Sequence, residues 1–332
     1  MTESRNHHFV PQGYLRGFGW KRGKHHMVIV HDFKENRTYE ANTRNVCAQR
    51  DFMRFNFNDR APDWLENEFG KLESNAVTAI RDVALSGEFS GANRNHVLNL
   101  MALLAVRSPA QRENMRDFHA RVAERMLDLL LENEEDWENH KRDMELETGK
   151  KSPVTYEEAR DFHMRREYRI EVARERHIQT EVKLHQTVLQ LLDQRRWTLY
   201  LVSGDYGEFI TTSRPVVLAY IDPENVPAPL RYSPGFALEK TEIFFPLTSK
   251  ALLVGRWDGE EATVGAAPQT FVGVMNHQMI RHSYGLAMSA SRNVLYHDPL
   301  MRLRWDDQMI SRFTANPSAE EVAQFKQAHG VL

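Results

Sequence analysis

The sequence predicts an α+β fold in which strands and helices are segregated along the chain. Short runs rich in β-branched and aromatic residues occur near the N-terminus and again after Trp197, each bounded by Gly, Pro, Asn or Ser. Between these blocks, apolar residues recur every three or four positions, which is typical of helices. The hydrophobic content of 41% is that of an ordinary folded chain. Because the two patterns occur in blocks, α+β is favoured over alternating α/β.

We expect a single domain over residues 1–332 with three sub-regions. Residues 1–62 are predicted to form an N-terminal strap and a β-hairpin, in which "HHMVIVHDF" and "NRTYEAN" are strands and "KEN" is the turn. The opening stretch "NHHFVPQGYLRGF" carries four large apolar side chains. Each gains about 1.5–3 kcal/mol on full burial. We therefore expect an ordered, packed strap built on Phe9, Tyr14, Leu15 and Phe18.

Residues 63–196 are predicted to form a helical bundle. Asp63 is a suitable N-cap for a first helix. Its apolar stripe comprises Leu65, Phe69, Leu72, Ala76, Ile80 and Val83. A second helix over 93–107 is apolar on nearly every side, which favours a central position. A third, from Pro109 to about residue 133, is predicted to face inward through Met115, Phe118, Val122, Met126 and Leu130.

Two charged segments follow within this region. Residues 132–153 lack an apolar stripe, so a solvated helix and a mobile excursion are both open. Thr155 and Glu158 have the spacing of a capping box, and no Pro or Gly then occurs up to Arg196. This predicts a long charged helix of about 60 Å. The first half of this helix is polar, so it must project into solvent, be broken, or pair with a partner. Pairing of two copies through 155–196, which would give a homo-oligomer, is one interpretation.

Residues 197–332 are predicted to form an antiparallel or mixed sheet with a closing helix. Short β-type runs occur at "WTLYLVS", "EFITTS", "PVVLAYI", "EIFFPL" and "ALLVGRW". The stretch "PQTFVGVMNHQMIRHSYGLAMSA", residues 268–290, is predicted to be one helix. We expect helices of 64–107 to pack on the sheet of 197–255, with this final helix closing one side of the seam.

Composition excludes several classes of protein. A net charge of −3 gives no general affinity for nucleic acid, although a nucleic acid or nucleotide partner through a local patch stays open. The single cysteine, Cys47, excludes an intramolecular disulfide and a multi-thiolate zinc site. The opening residues do not resemble a secretory signal, and no run approaches the roughly 20 apolar residues of a membrane helix. We therefore expect a cytoplasmic protein without a membrane partner.

The order of several segments resembles a family known as domain of unknown function 4238. The opening motif of that family is matched by His8, Val10, Pro11, Tyr14, Leu15 and Phe18. Later segments resemble it at "NVCAQRDFM", "LENEFGKLESNAVTAI" with Glu73, "LLAVRSPAQR" with Arg107, "EFITTSRPVV", "FFPLTSKALLVG", and "MNHQMIRHSYGLAMSASRNVLY" with Asn276. One motif departs from the family, because Ser213 stands where an aspartate is usual. Any role of that aspartate is lost or replaced here, and the family supplies no established activity.

Polar residues at expected buried positions are the candidates for a site. Glu73 and Arg107 fall near apolar stripes, and buried charges are costly unless paired. They either pair simply with each other or line a pocket at the helix–sheet seam with His8, Ser213 and Asn276. Tyr14 and Arg16, from the opening motif, are further ligand-binding candidates. His7 and His8 point to opposite sides of an extended segment, so they do not chelate one metal together. A purely structural role for His8 stays open.

The function predicted from these residues is a hydrolase acting on a phosphodiester or nucleotide. His8 would be base or metal ligand, Glu73 acid or ligand, and Arg107 an anion clamp. A divalent metal cofactor is compatible with this set. The sequence leaves two alternatives open: a non-catalytic ligand-sensing or partner-binding module, and an assembly protein that pairs through 155–196. P-loop, Gly-x-Gly-x-x-Gly and Gly-x-Ser-x-Gly motifs are absent.

Overall fold

The computed structural model describes residues 6–50, 52, 64–171, 174–227, 230–231, 234–315 and 321. The described residues form helices and antiparallel-rich sheets in separate blocks, which confirms the α+β class. By contacts, the chain divides into two compact units. One combines Met1–Ser108 with Glu181–Leu332, and the other is Pro109–Thr180. Whether the whole chain folds as one domain stays a prediction. The predicted N-cap Asp63 lies outside the described residues.

The helices and strands have the following bounds. The helices are α1 (Gln12–Leu15), α2 (Trp64–Ser86), α3 (Gly91–Val106), α4 (Pro109–Leu130), α5 (Glu134–Thr148), α6 (Tyr156–Arg165), α7 (Arg174–Asp193), α8 (Gln269–Arg281) and α9 (Met309–Thr314). The strands are β1 (Asn6–His8), β2 (Trp20–Arg22), β3 (His25–Asp32), β4 (Arg37–Asn42), β5 (Ala48–Arg50), β6 (Arg196–Leu201), β7 (Thr211–Thr212), β8 (Val217–Tyr220), β9 (Thr241–Thr248), β10 (Ala251–Arg256), β11 (Thr263–Ala266), β12 (Leu286–Ser289), β13 (Val294–His297) and β14 (Leu303–Asp306). Short 3₁₀ helices span Arg16–Phe18, Thr43–Asn45 and Pro223–Asn225.

Two five-stranded sheets carry most of the strands. The first has the order β11-β6-β10-β9-β8 and is antiparallel except that β11 runs parallel to β6, so this sheet is mixed. The second has the order β2-β3-β12-β7, with β4 paired to the other side of β3. The β3–β4 pair, in which Met27 lies opposite Asn42, is the hairpin predicted from the sequence.

The strap is packed as expected. Phe9, Tyr14, Leu15 and Phe18 are all buried. The strand β1 pairs with β5, which ties residues 6–8 to 48–50. At Gly19, a β-carbon would lie 2.0 Å from the carbonyl oxygen of Met27, so only glycine allows the strap to approach β3 this closely.

The helices α2 and α3 form a hairpin within the same unit. On α2, Ala76, Ile80 and Val83 are buried, and the helix contacts β9 of the first sheet. This agrees with the expected packing of residues 64–107 on the sheet of 197–255. The helix α3 is buried around most of its circumference, as its apolar sequence predicts.

The 109–180 unit departs from the sequence prediction for its first helix. No residue of α4 is buried, and the predicted inward face is exposed at Phe118, Val122 and Met126. That inward assignment is wrong, because amphipathic periodicity gives the apolar face of a helix without giving the element that covers it. The charged insert forms α5, capped by the Asn133 side chain and ended by Gly149, and it buries no residue.

Two predicted helices end earlier than expected. The long helix over 155–196 is broken: α6 begins with the predicted Thr155–Glu158 capping box, but it stops before Arg166, whose φ of 54° is left-handed. The predicted helix over 268–290 ends at Arg281, because the chain turns at Gly285 (φ 99°). Residues Leu286–Ser289 instead form β12, which pairs with both β3 and β7.

Candidate functional site

His8 lies at the end of β1, and backbone groups hydrogen-bond its ring at one nitrogen. The register of β1 and β5 sets His8 opposite Ala48. The backbone groups of Thr43 and Arg44 hydrogen-bond the ring, whereas its Nε2 is buried and has no hydrogen-bond partner. Nδ1 is then the nitrogen that faces the carbonyls. Burial lowers the pKa of His8, and the charge of Arg107 acts in the same direction. The ring is therefore neutral at pH 7, with an unpaired acceptor.

Arg107 and Glu73 form the ion pair that their positions in the sequence suggest. Arg107 follows the last turn of α3, and its side chain is 2% exposed. Its Nη2 lies 2.5 Å from Oε1 of Glu73 on α2. The guanidinium also sits over the ring of Phe69, 5.2 Å from the centroid. Its Nε is buried without a partner. The Arg107 guanidinium thus retains one N–H donor, at Nε, without an acceptor among the described residues.

Glu73 and Arg107 both lie near enough to His8 for their charges to act on its ring. The charges of both Glu73 and Arg107 act on the His8 ring, in opposite directions. A neutral histidine with an unused acceptor therefore lies within electrostatic range of a buried cation with an unused donor and of a carboxylate. Such a set can bind an oxyanion and accept a proton beside it. We call His8, Glu73 and Arg107 the strap site.

Tyr14, also from the opening motif, is engaged in the core. Its hydroxyl lies 2.9 Å from Oγ1 of Thr211 and donates to the carbonyl of Pro246 at 2.7 Å. Its ring stacks on Phe245. Burial raises the pKa of Tyr14 far above its ordinary value. Because its proton is used within the fold, the hydroxyl has no hydrogen left to donate to a ligand.

Asn276 clamps a different part of the fold. Its Oδ1 accepts from the Ile210 N–H at 3.0 Å, and its Nδ2 donates to the carbonyls of Glu208 and Leu295 at 2.8 and 2.7 Å. These bonds join α8 to the segment before β7 and to β13. Two of these partners lie in the predicted sheet region of 197–255 and the third at residue 295, while α8 packs on β13, β14 and β7.

Ser213 and Arg16 are the remaining candidates. The Ser213 hydroxyl is buried and has no hydrogen-bond partner, while its N–H bonds the carbonyl of Leu286. Arg16 is exposed and lies close enough to His26 for its charge to act on that ring. Among the described residues, no hydrogen bond or ion pair joins Ser213, Arg16 or Asn276 to the strap site.

Two features of the strap site were not evident from the sequence. The carbonyl ligands of His8 come from residues 43–44, which only the β3–β4 hairpin carries to the strap. The ring of Phe69 was assigned to the core rather than to a cation–π contact. A backbone carbonyl has no signature in the sequence, so no local pattern could have revealed the first of these.

A histidine on β3 has a geometry that suggests a Ser–His pair. His31 Nε2 lies 2.9 Å from Oγ of Ser289, and its Nδ1 lies 3.2 Å from Oγ1 of Thr38. However, Ser289 Oγ donates its only proton to the carbonyl of Ser291 at 2.6 Å. Because a carbonyl can only accept, Nε2 must itself donate to Ser289, and this serine is not activated. Burial lowers the pKa of His31 to about 4, which fits a structural role.

The 109–180 unit contains a separate polar network. His163 Nε2 lies 2.8 Å from Oδ1 of Asp128, its Nδ1 lies 2.6 Å from the Tyr168 hydroxyl, and Arg166 also donates to Asp128. The two hydrogen bonds, first that from His163, lower the pKa of Asp128. Both ring nitrogens of His163 thus have partners within the unit.

The described residues offer neither a grouped metal-binding set nor a membrane-spanning helix. Within these residues, no three or more His, Cys, Asp or Glu side chains are grouped so that they could hold a metal ion. The strap site contributes two such side chains, His8 and Glu73. No helix in the described ranges is long and apolar enough to cross a bilayer.

Comparison with known proteins identifies the family. The sequence model of the family described as "Protein of unknown function (DUF4238)" matches residues 6–298. The chain belongs to this family. The resemblance inferred from the ordered motifs is thereby confirmed. No curated protein and no solved structure matched the chain.

Proposed function

We propose that this member of the DUF4238 family is a hydrolase that cleaves a phosphoryl ester, in a phosphodiester or a nucleotide, at the strap site. The observation that supports this is a pair of unused polar atoms: His8 Nε2, a buried acceptor, and Arg107 Nε, a buried donor. Buried polar atoms are normally paired, and an unpaired one calls for an explanation. The partners that we propose for these atoms are a phosphoryl oxygen for Arg107 Nε and the attacking water for His8 Nε2.

Each residue has a role in the proposed reaction. The N–H of Arg107 Nε donates to a non-bridging phosphoryl oxygen. His8 Nε2 takes a proton from water as the water oxygen bonds to phosphorus and the ester P–O bond breaks. His8 then returns that proton to the departing oxygen. The carboxylate of Glu73 raises the pKa of His8, which stabilises the imidazolium formed in the transition state. The carbonyls of Thr43 and Arg44 hold the ring in one orientation.

The test is hydrolysis of bis(p-nitrophenyl) phosphate and of linear and cyclic nucleotides, with and without divalent metal ions. His8→Gln should lower the rate by at least about 100-fold. His96→Gln, on the exposed face of α3, is the matched control and should leave the rate unchanged. Because the pKa of His8 is lowered, the rate should fall on the acid side with a midpoint below pH 6.5.

Turnover can be separated from binding by thermal shift with phosphate, nucleotides and divalent metals. Stabilisation of the wild type by nucleotides without hydrolysis would favour the sensing module over the hydrolase. Absence of both stabilisation and hydrolysis would remove the phosphoryl proposal altogether. A stabilisation lost in Arg107→Met, but kept in Arg81→Met on the exposed face of α2, assigns binding to the strap site.

The proposal includes a cytoplasmic location and pairing of copies through 155–196. A reducing compartment is consistent with the one cysteine, Cys47, which is buried and whose pKa burial raises to about 12. Pairing is supported by the exposed apolar side chains of Phe162 and Met164 on α6. Sedimentation of the wild type and of Phe162→Asp tests it, since a mass equal to one chain in both would contradict pairing.

A further inference from the structure

A basic segment lies immediately after the strap. Residues 16–26, "RGFGWKRGKHH", contain four Arg or Lys residues and no acid. The segment comprises the 3₁₀ helix Arg16–Phe18, the strand β2, the tight turn at Gly23 (φ 60°) and the first two residues of β3. Its cationic side chains are exposed: Arg16, Lys21, Arg22 and Lys24. We call these residues, with His25 and His26, the basic hairpin.

The charges of the basic hairpin are close together and mostly without partners. Lys21 of β2 lies opposite His26 of β3. Burial first, then the charges of Arg16 and Lys21, lower the pKa of His26, so both cations lie within electrostatic range of this ring. Arg22 pairs with Glu40 at 2.5 Å. In the part of the chain that the structure describes, Arg16, Lys21 and Lys24 have no ion pair. A concentration of unpaired positive charge on a chain of net charge −3 is a local site for an anion.

The basic hairpin is connected to the strap site by three consecutive residues. Asn42 is the last residue of β4, and its Nδ2 lies 3.0 Å from Nδ1 of His25. The next two residues, Thr43 and Arg44, hold the His8 ring through their backbone. The Arg44 side chain is exposed, which adds a cation between the two regions. A polymer bound along the hairpin would therefore lead toward His8.

We propose that the basic hairpin and Arg44 bind the phosphate backbone of a polynucleotide and bring one of its phosphodiesters to the strap site. This rests on the proposed hydrolase function and names its substrate class. A mononucleotide carries its phosphates as one compact group, which cannot engage cations spread over a 3₁₀ helix, a hairpin and the second residue after β4. A polynucleotide offers successive phosphates, and the half-buried ring of Trp20 lies within the basic hairpin as a surface for a base.

The test is fluorescence anisotropy with 20-nucleotide single-stranded DNA, duplex DNA and RNA, between 50 and 200 mM salt. The wild type should bind at least one of them with a Kd of about 1–100 μM. The triple variant Lys21→Ala/Lys24→Ala/Arg44→Ala should weaken binding at least tenfold. Because three phosphate contacts are lost, the slope of log K against log salt should fall by about 2–3. The charge-preserving variant Lys21→Arg/Lys24→Arg/Arg44→Lys should restore both.

A matched control is available in the 109–180 unit. Lys150→Ala/Lys151→Ala/Arg160→Ala removes the same charge from exposed positions and should change neither affinity nor slope. Equal weakening by both triple variants would overturn the inference, because binding would then follow net charge alone. So would binding to vesicles of anionic lipid without binding to any polynucleotide.

The two proposals fail in different ways. Hydrolysis of bis(p-nitrophenyl) phosphate that depends on His8, without polynucleotide binding, would keep the hydrolase and overturn the substrate class. Polynucleotide binding through the basic hairpin, with no hydrolysis of any ester, would overturn the hydrolase and the delivery of a phosphodiester to His8. Hairpin-dependent binding together with His8-dependent cleavage of the same polynucleotide supports both.

Discussion

His8 and Asn276 differ in how completely the fold uses their polar atoms, although the sequence assigned both to one pocket. The side chain of Asn276 makes three hydrogen bonds, each to backbone, and is 0% exposed. His8 is oriented by two backbone groups, yet its Nε2 is buried and unpaired. Arg107 repeats the contrast, with one nitrogen paired to Glu73 and Nε unused.

The contrast separates two reasons for burying a polar side chain. A fully paired side chain joins segments that are distant in sequence, and its loss costs stability. A side chain with one polar atom paired and another unused is held in one orientation by the paired atom, and its other atom is left for a ligand or substrate. We therefore expect substitutions at Asn276 to act mainly on folding, and substitutions at His8 to act mainly on binding and turnover.

The largest effect is expected for Asn276→Ala. It leaves one N–H and two carbonyls, at Ile210, Glu208 and Leu295, without partners, so the free energy of unfolding should fall by about 4 kcal/mol. Urea denaturation followed by circular dichroism measures this. Asn293→Ala, at an exposed turn, should stay within about 0.5 kcal/mol of the wild type. Equal losses in both variants would contradict the clamp.

The second effect concerns His31, the fully paired counterpart of His8. An unfolded histidine titrates near pH 6.5, but burial lowers the pKa of His31 to about 4. Between these values the unfolded state binds more protons, so acid favours unfolding. The free energy of unfolding should fall by roughly 3 kcal/mol as the pH drops from 6.5 to 4, from this group alone. His31→Gln should flatten that fall, whereas exposed His96→Gln should not.

The third effect is expected for Arg107→Met. The change removes a buried cation and leaves Glu73 unpaired, but that carboxylate is 22% exposed and can be solvated. A loss of about 2 kcal/mol is therefore expected, below the 3–5 typical of a fully buried pair. Phosphate should no longer raise the melting temperature of this variant. If Arg107→Met still responds to phosphate as the wild type does, the anion site lies elsewhere.

The smallest effect on stability is expected for His8→Gln. The glutamine amide can still donate to the carbonyls of residues 43–44, so the free energy of unfolding should change by less than about 1 kcal/mol. Turnover should nevertheless be lost. A large loss of stability, comparable to that of Asn276→Ala, would remove the distinction between the two regions.

Sequence reasoning succeeded where local chemistry decides the structure. The β3–β4 hairpin, the capping box at Thr155 and the buried strap all follow from turn residues, spacing and apolar content. The Glu73–Arg107 pair followed from charges near two apolar stripes. The first three features depend on a few neighbouring residues. The ion pair depends on the free-energy cost of burying a charge, which an opposite charge offsets.

Sequence reasoning failed where contacts between residues distant in the sequence decide the structure. The run "LAMS" reads equally as helix or strand, and it becomes β12 because β3 and β7 provide edges on both sides. The partners of Asn276 could not be predicted locally, because they come from residues 208, 210 and 295. The apolar face of α4 is exposed although its periodicity is clear. A pattern gives the face of an element but not its neighbour.

The hydrogen bond from Tyr14 to Pro246 joins residues that are 232 positions apart, so it can form only after both have been synthesised. The strap leaves the ribosome before the surface around Pro246 that receives it. At 5–20 residues per second, the interval is about 10–50 s. During this time Tyr14 lacks its final partners Thr211, Phe245 and Pro246. A chaperone that holds short aromatic segments would therefore find a target in the strap of the nascent chain, and it would have to release that segment after Pro246 has emerged.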